Sequence, residues 1–204
     1  MMDIAAAEKK LRQAKFFVGY LEQASAEPIR RAGQPESEHL EFFFSACLSA
    51  AQSVHYVLEE TGGSTFKTIK RNWLAGLKDE RKRSSFGQMI GLRDKDVHLA
   101  VTGAKPLQKY VADDWKTHDR SPYYYQPQVY NAALFGPRPV IEEKNPDGTI
   151  VTGSVLRGTL GLYIERQGRR VEATDACREF IEQLTSLLDA MKGSTRESKA
   201  GSSE

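Results

Sequence analysis

A broad apolar stripe between residues 38 and 61 constrains the fold of this chain more than any other feature of its sequence. Apolar residues recur there at steps of three and four, which is the period of an α-helix and not of a β-strand. The stripe is wider than the apolar face of an ordinary surface helix, so it predicts a helix at the centre of a bundle. Its members are Leu40, Phe43, Phe44, Cys47, Leu48, Ala51, Val54, Val57 and Leu58.

The same period predicts four further helices, three of which lie within the first 100 residues. Gly62 and Gly63 are expected to end the central helix, because glycine is favoured just after the last helical turn. The other helices are predicted over residues 2–24, from Ser64 or Thr65 to about 80, from Ser84 or Ser85 to about Ala100, and from Thr174 or Asp175 to Gly193. The sequence therefore predicts a mainly α protein, an antiparallel bundle of about five helices.

The segment before the last helix has a different character, because tyrosine, proline and turn residues replace the helical repeat. Asn145 to Gly148 is a strong turn signal between two short apolar runs, and Gln167-Gly168 marks a second hairpin. We predict a small antiparallel β-hairpin insertion there. The predicted organisation is a helical core over residues 1–112, a β-rich insertion over 113–172, a closing helix of the same domain over 173–192 and a disordered tail over 193–204.

Composition excludes several classes of protein. With 204 residues, 40% apolar and 27% charged, the chain is long enough to bury a real core. No apolar run is long enough to span a membrane, and charged residues throughout the first fifteen positions exclude an uninterrupted secretory signal, so a cytoplasmic location is expected. Cys47 and Cys177 both fall in apolar helical patterns and are read as buried free thiols, with a disulfide or a nucleophile as the alternatives.

One short stretch, from Gly91 to His98, carries residues suited to chemistry on a phosphate ester. Arg93 offers a planar fork of donors that matches a phosphate, and His98 has an ordinary pKa close to neutral pH. Asp94 and His98 are four residues apart and can meet on a helix, so the carboxylate can orient the imidazole. Arg93 and His98 are about 140° apart around a regular helix, so they share a site only if the helix is irregular or a second copy contributes.

These residue types predict attack of a ribose 2′-hydroxyl on the adjacent phosphate, with His98 moving the proton and Arg93 stabilising the transition state. His39, His55 and His118 show no metal-ligand spacing, so we expect no cofactor or metal and a metal-free reaction. The spacing alone also fits a structural interpretation, in which Arg93 pairs with Asp94 or Asp96 and His98 lies near a helix C-terminus favoured by the dipole.

Two segments of this sequence resemble the HEPN domain, a family of helical bundles that includes metal-independent ribonucleases. The segments are FFSACLSAAQSV, residues 43–54, and FGQMIGLRDKDVH, residues 86–98. The family pattern is an arginine, a polar residue, a few variable residues and a histidine, which Arg93, Asp94 and His98 match one for one.

The resemblance implies a homodimer in which two motifs face each other across a cleft, and an endoribonuclease acting as a toxin or defence effector, with RNA as substrate and an antitoxin or regulatory protein as a further partner. A non-catalytic HEPN-like interaction or RNA-binding module is the alternative. The tyrosine that one toxin subgroup carries two residues after the histidine is replaced here by Ala100.

A cluster of basic residues precedes the motif and is the candidate substrate-binding surface. It either follows an RNA backbone or forms a solvated helix face. The tyrosine run in the insertion likewise either stacks bases or packs the insertion. The basic cluster contains Lys67, Lys70, Arg71, Lys78, Arg81, Lys82 and Arg83 against Asp79 and Glu80, and we assign Lys70, Arg71, Arg81, Lys82 and Arg83 to substrate binding.

Overall fold

The computed structural model describes residues 2–26, 36–99, 104–112, 140–153 and 156–200. In these ranges the chain forms four α-helices and five β-strands, which confirms the predicted class, mainly α with a small antiparallel β component. The elements are α1 (Ile4–Ala26), α2 (Glu36–Gly76), α3 (Glu80–Leu99), β1 (Lys105–Ala112), β2 (Ile141–Lys144), β3 (Ile150–Gly153), β4 (Leu156–Arg166), β5 (Arg169–Glu172) and α4 (Ala173–Ala200).

Helices α1 and α2 form an antiparallel pair. The carboxylate of Asp3 accepts from the backbone N–H of Ala6 and caps the start of α1, while the N–H of Asp3 donates to the Thr61 hydroxyl of α2. Halfway along, the Cys47 thiol donates to the carbonyl of Ala14 at 3.6 Å. The side of α1 that faces the bundle is buried at the predicted helical spacing: Ala7, Leu11, Ala14, Val18, Leu21 and Ser25.

Gly63 divides α2 into two helical segments that meet at a kink. Its backbone has φ 53° and ψ −127°, values that glycine adopts at little cost because it lacks a Cβ. A second helix starts at once and continues to Gly76, so the predicted end of the central helix at Gly62-Gly63 and the predicted start of another at Ser64 or Thr65 are confirmed. Phe66, in the second half of α2, is fully buried.

Helix α3 begins at Glu80, about one turn before the predicted start at Ser84 or Ser85. The reason is the cap: the carboxylate of Asp79 accepts from the N–H of Arg81 at 2.8 Å, which satisfies a donor that the first turn otherwise leaves free. The basic run Arg81 to Arg83 therefore lies inside the first turn of α3.

The strands form two small antiparallel sheets, one with the order β1-β4-β5 and the other made of β2 and β3. Both predicted hairpins are present, and Gln167 and Gly168 both have positive φ at the tight β4–β5 turn. The β-region begins earlier than predicted, since Lys105–Ala112 is strand β1 and pairs with β4 from Lys105↔Tyr163 to Ala112↔Leu156. That pairing joins residues about fifty positions apart, so a local sequence pattern does not predict it.

The three-stranded sheet is fixed to the helices through β4. Leu162 and Ile164 are buried in the same apolar core as the helices, whereas Tyr163 lies on the opposite face of the strand. The side-chain amide of Asn145 accepts from the N–H of Tyr110 and donates to its carbonyl, so the β2–β3 turn is docked on strand β1.

Helix α4 returns to the bundle and packs against α1 and α2. The sequence predicts that this helix ends at Gly193 and that a disordered tail follows, but α4 continues to Ala200. A single glycine costs a helix only about 1 kcal/mol, so Gly193 does not end it. Cys47 and Cys177 are buried free thiols, as predicted. The pKa of Cys177 is raised, most strongly by its hydrogen-bond interaction with Cys47 and next by burial.

Within the described ranges, no helix combines the length and the apolar character that crossing a membrane requires.

Candidate functional site

The predicted motif lies on the last turns of α3. The backbone of α3 is helical from Glu80 to Leu99, so Arg93, Asp94 and His98 belong to one helix; side chains along α3 are described only as far as Leu92. The buried side chains Phe86, Met89 and Leu92 fix this helix to the core. The motif is therefore the continuation of a well-anchored helix.

The unbroken helix assigns the motif positions to two different faces. Positions 94 and 98 follow Gly87 and Gly91 at steps of three and four, so these four positions share one face. In the described part of the chain no atom outside the helix's own nearby backbone lies within 4 Å of where a Cβ would be at Gly87 or Gly91, so no other element packs closely against α3 at these two positions. Position 93 follows Phe86 and Met89 by seven and four residues and so continues the face that packs on the core.

The motif end of α3 points toward the start of α2. The Gln52 amide donates to the carbonyl of Ile90 at 2.9 Å, and the rings of His55 and Phe86 lie 6.4 Å apart. The two helices are thus antiparallel, and the turns of α3 after Ile90 run toward the region of α2 that holds Phe43.

At that end of the bundle a row of aromatic side chains is exposed to solvent. Tyr20 of α1 links the others, since its ring is 4.8 Å from Phe16 and 5.4 Å from Phe43, which in turn is 5.6 Å from Phe42. Phe42 is 64% exposed and Phe16 is 57% exposed. A contiguous exposed apolar patch of this kind is typical of a surface that contacts another protein. We call it the aromatic patch.

The basic cluster is divided by the fold. Arg71, Arg81, Lys82 and Arg83 are exposed, the last three in the first turn of α3. Lys70 is not a free surface charge, because the break at Gly63 turns the second half of α2 so that the Lys70 amine lies 2.6 Å from Nε2 of His55. Of the five predicted substrate-binding residues, four are therefore exposed and Lys70 is engaged by His55.

His55 is the centre of a buried polar cluster that its sequence context did not distinguish from an ordinary packing histidine. It is 5% exposed, and its ring packs edge-on against Phe66 at 5.2 Å. The Lys70 ammonium donates to Nε2, so the neutral imidazole carries its proton on Nδ1, 3.7 Å from the Glu59 carboxylate. Burial and then the charge of Lys70 lower the pKa of His55 to about 4. Burial likewise lowers the pKa of Lys70.

This cluster predicts a loss of stability in mild acid. Between pH 6.5 and about 4 the unfolded chain binds a proton at His55 and the folded chain does not, so the stabilisation is complete above pH 6.5 and is lost as the pH falls. The expected loss in the free energy of unfolding is about 3 kcal/mol. Urea denaturation at pH 7 and pH 4 measures it. In His55→Gln the free energy of unfolding should change less between pH 7 and pH 4, whereas His39→Gln, at an exposed position, should behave as the wild type. The same change in the free energy of unfolding in all three proteins would contradict the assignment.

A second basic site, which sequence reasoning missed, lies between the start of α3, the β4–β5 hairpin and α4. It is a cavity of about 320 Å³, lined by Arg81, Arg166, Gln167, Arg169, Val171 and Glu179. Side-chain amides tie its walls together: Gln167 of the hairpin donates to the carbonyl of Arg81, and Gln183 of α4 donates to the carbonyl of Lys82. The sequence signal for this site is the group of arginines around the hairpin turn, residues 165–170, which the sequence analysis uses only to predict a turn.

The remaining predicted features have simple outcomes. His39 is exposed and His55 is buried. His118 and the tyrosine run at Tyr123 to Tyr125 and Tyr130 lie outside the described residues. Within the described ranges, no group of three or more His, Cys, Asp or Glu side chains is arranged to hold a metal ion.

Comparison of the chain with family models, with curated proteins and with solved structures finds no match.

Proposed function

We propose that this protein is a metal-independent endoribonuclease similar to HEPN domain proteins, and that it acts as a homodimer. The observation that carries the proposal is the face of α3 formed by positions 87, 91, 94 and 98. Two glycines leave this face open beside the carboxylate and imidazole positions of the motif, so a second copy can approach the α3 backbone closely there.

A dimer also accounts for the position of the arginine. Arg93 continues the core-facing side of α3, and His98 belongs to the open side, so the two do not meet on one regular helix. In the proposed centre, Asp94 and His98 come from one protomer and Arg93 from its partner. The aromatic patch supports the same arrangement, because it supplies apolar surface at the end of the bundle toward which the motif extends.

In the proposed reaction His98 accepts the proton of the ribose 2′-hydroxyl as its oxygen bonds to phosphorus. The bond from phosphorus to the 5′-oxygen breaks, and that oxygen takes up a proton from water. Arg93 stabilises the charge that develops on the phosphoryl oxygens, and Asp94 holds the imidazole in the tautomer that can accept a proton. The products are an RNA end with a 2′,3′-cyclic phosphate and an RNA end with a free 5′-hydroxyl.

The chemistry of the product ends tests this proposal. The purified protein is incubated with a mixed tRNA pool in EDTA, and the fragments are treated with polynucleotide kinase and labelled ATP. We expect cleavage to persist in EDTA and the new 5′ ends to accept label without prior phosphatase treatment. No cleavage, cleavage that requires a divalent cation, or fragments with 5′-phosphate ends would contradict the proposal.

The aromatic patch by itself also favours a second candidate function, a non-catalytic interaction module that binds a protein or an RNA. In this case the patch docks a partner, and Arg93 and His98 only stabilise the interface. A dimer that loses stability in Arg93→Ala while no RNA preparation is cleaved would favour this second candidate.

A further inference from the structure

We propose that the cavity between α3, the β4–β5 hairpin and α4 binds a phosphate group, with Arg81, Arg166 and Arg169 as its ligands. At about 320 Å³ the cavity is at the lower end of the range for small-molecule sites, which suits one phosphate group and the adjoining part of a phosphate ester. The site is separate from the motif on α3 and does not depend on the proposed cleavage reaction.

The charges around the cavity are unbalanced. Glu179 pairs with Arg166 at 2.7 Å and is the only acidic residue among the described residues that line the cavity. Among the described residues, the side chains of Arg81 and Arg169 have neither an ion pair nor a hydrogen bond. Two of the three guanidinium groups are therefore unmatched, which complements the two charges of a phosphate monoester above its second pKa.

Arg166 shows that the site is built and is not an accidental group of surface arginines. Its side chain is only 10% exposed, with Nη2 donating to Glu179. Its Nη1 is buried and has no partner among the described residues. A buried charged donor without an acceptor is costly, and buried polar groups of this kind are almost always satisfied. A phosphate in the cavity adds negative charge beside this buried guanidinium, whose one ion-pair partner among the described residues is Glu179.

The walls of the cavity are held in place from several sides. Gln88 of α3 donates to the carbonyl of Glu165 at the end of β4, so the hairpin is tied to α3 at two points, Glu165 and the turn residue Gln167. The first turn of α3 also contributes the positive end of its helix dipole, which favours an anion. Arginine binds phosphate through two parallel hydrogen bonds, so a preorganised group of three distinguishes phosphate from a monovalent anion.

Calorimetric titration with inorganic phosphate at pH 7.5 and low salt tests the site in the full-length protein. We expect saturable binding that weakens about tenfold or more in Arg169→Gln and further when Arg81→Gln is added. Arg170→Gln is the matched control, because Arg170 is the next residue, pairs outward with Glu165 and does not line the cavity. Glu179→Gln should tighten binding, because it releases Arg166 from its ion pair.

A second arm identifies what carries the phosphate. A short oligoribonucleotide is titrated with and without a 5′-phosphate, using His98→Ala protein so that cleavage does not interfere. Preference for the phosphorylated form that disappears in the Arg81/Arg169 double variant assigns the site to RNA ends. Equal binding of both forms, with inorganic phosphate still dependent on these arginines, assigns it to a free phosphate or a small phosphate ester. No phosphate binding, or binding unchanged by both substitutions, overturns the proposal.

Discussion

Replacing His98 with alanine is expected to slow RNA cleavage by about 100- to 10,000-fold, which is the usual contribution of a general base or acid. The reason is that histidine is the one residue type of the three whose ordinary pKa lies near neutral pH, so the 2′-hydroxyl loses its proton acceptor. The measurement is the initial rate of cleavage of one labelled RNA in EDTA, with substrate well below saturation so that the ratio of rates reports transition-state stabilisation.

The matched control for this substitution is His39→Ala. His39 is an exposed histidine of α2, so its removal changes the same residue type without touching α3. Both variants should show the wild-type circular dichroism spectrum and thermal transition. A rate unchanged in His98→Ala, or reduced equally in both variants, would show that the activity does not depend on the motif.

Replacing Phe86 with alanine is expected to cost about 3–5 kcal/mol of folding free energy, the range for truncating a fully buried phenylalanine. Phe86 is 2% exposed and joins three elements. Its ring lies 5.2 Å from that of Trp73 in the second half of α2 and 5.6 Å from that of Phe180 in α4. Without it, α3 loses the main contact that holds the motif against the bundle.

Urea denaturation of Phe86→Ala and of Phe42→Ala checks this expectation. Phe42 is 64% exposed, so its truncation should change the free energy of unfolding by less than about 0.5 kcal/mol in the monomer. A small effect at Phe86 would mean that α3 is not fixed to the core through this ring. If Phe42→Ala weakens dimerisation but not monomer stability, the aromatic patch belongs to the dimer interface.

Local patterns in the sequence were sufficient for most of the helices and for both hairpins. The buried side of α1, from Ala7 to Ser25, follows a period that depends only on residues three and four apart. The Asn145 to Gly148 turn is likewise encoded by the turn residues themselves. The Asp79 cap was missed because serine competes for the same role, and which residue caps the helix depends on where the preceding chain arrives.

Three other features that sequence reasoning missed depend on contacts between distant residues. Strand β1 exists because β4 pairs with it, and the cavity arginines converge because the β4–β5 hairpin packs on α3. The engagement of Lys70 by His55 requires the change of direction at Gly63. A sequence pattern indicates that a lysine is basic and near a helix surface, but not which side chain it meets after the chain folds.

The contact between Lys70 and His55 changes what is expected of substrate binding. Since Lys70 is held by His55, Lys70→Met should alter stability more than RNA affinity. Arg81 belongs to the cavity, whereas Lys82 and Arg83 remain exposed in the first turn of α3. These exposed residues are the ones whose replacement should weaken RNA binding in a salt-dependent way.

The central claim is that each catalytic centre combines Asp94 and His98 of one protomer with Arg93 of its partner, and subunit mixing tests it most directly. Arg93→Ala and His98→Ala are each purified, mixed in equal amounts under conditions that exchange subunits, and assayed for RNA cleavage in EDTA. In a mixed dimer both substitutions fall in one centre, and the other centre is intact. Random pairing makes about half of the dimers mixed, so activity should return to roughly a quarter of wild type. A mixture as inactive as either variant alone, despite demonstrated subunit exchange, would contradict the composite centre.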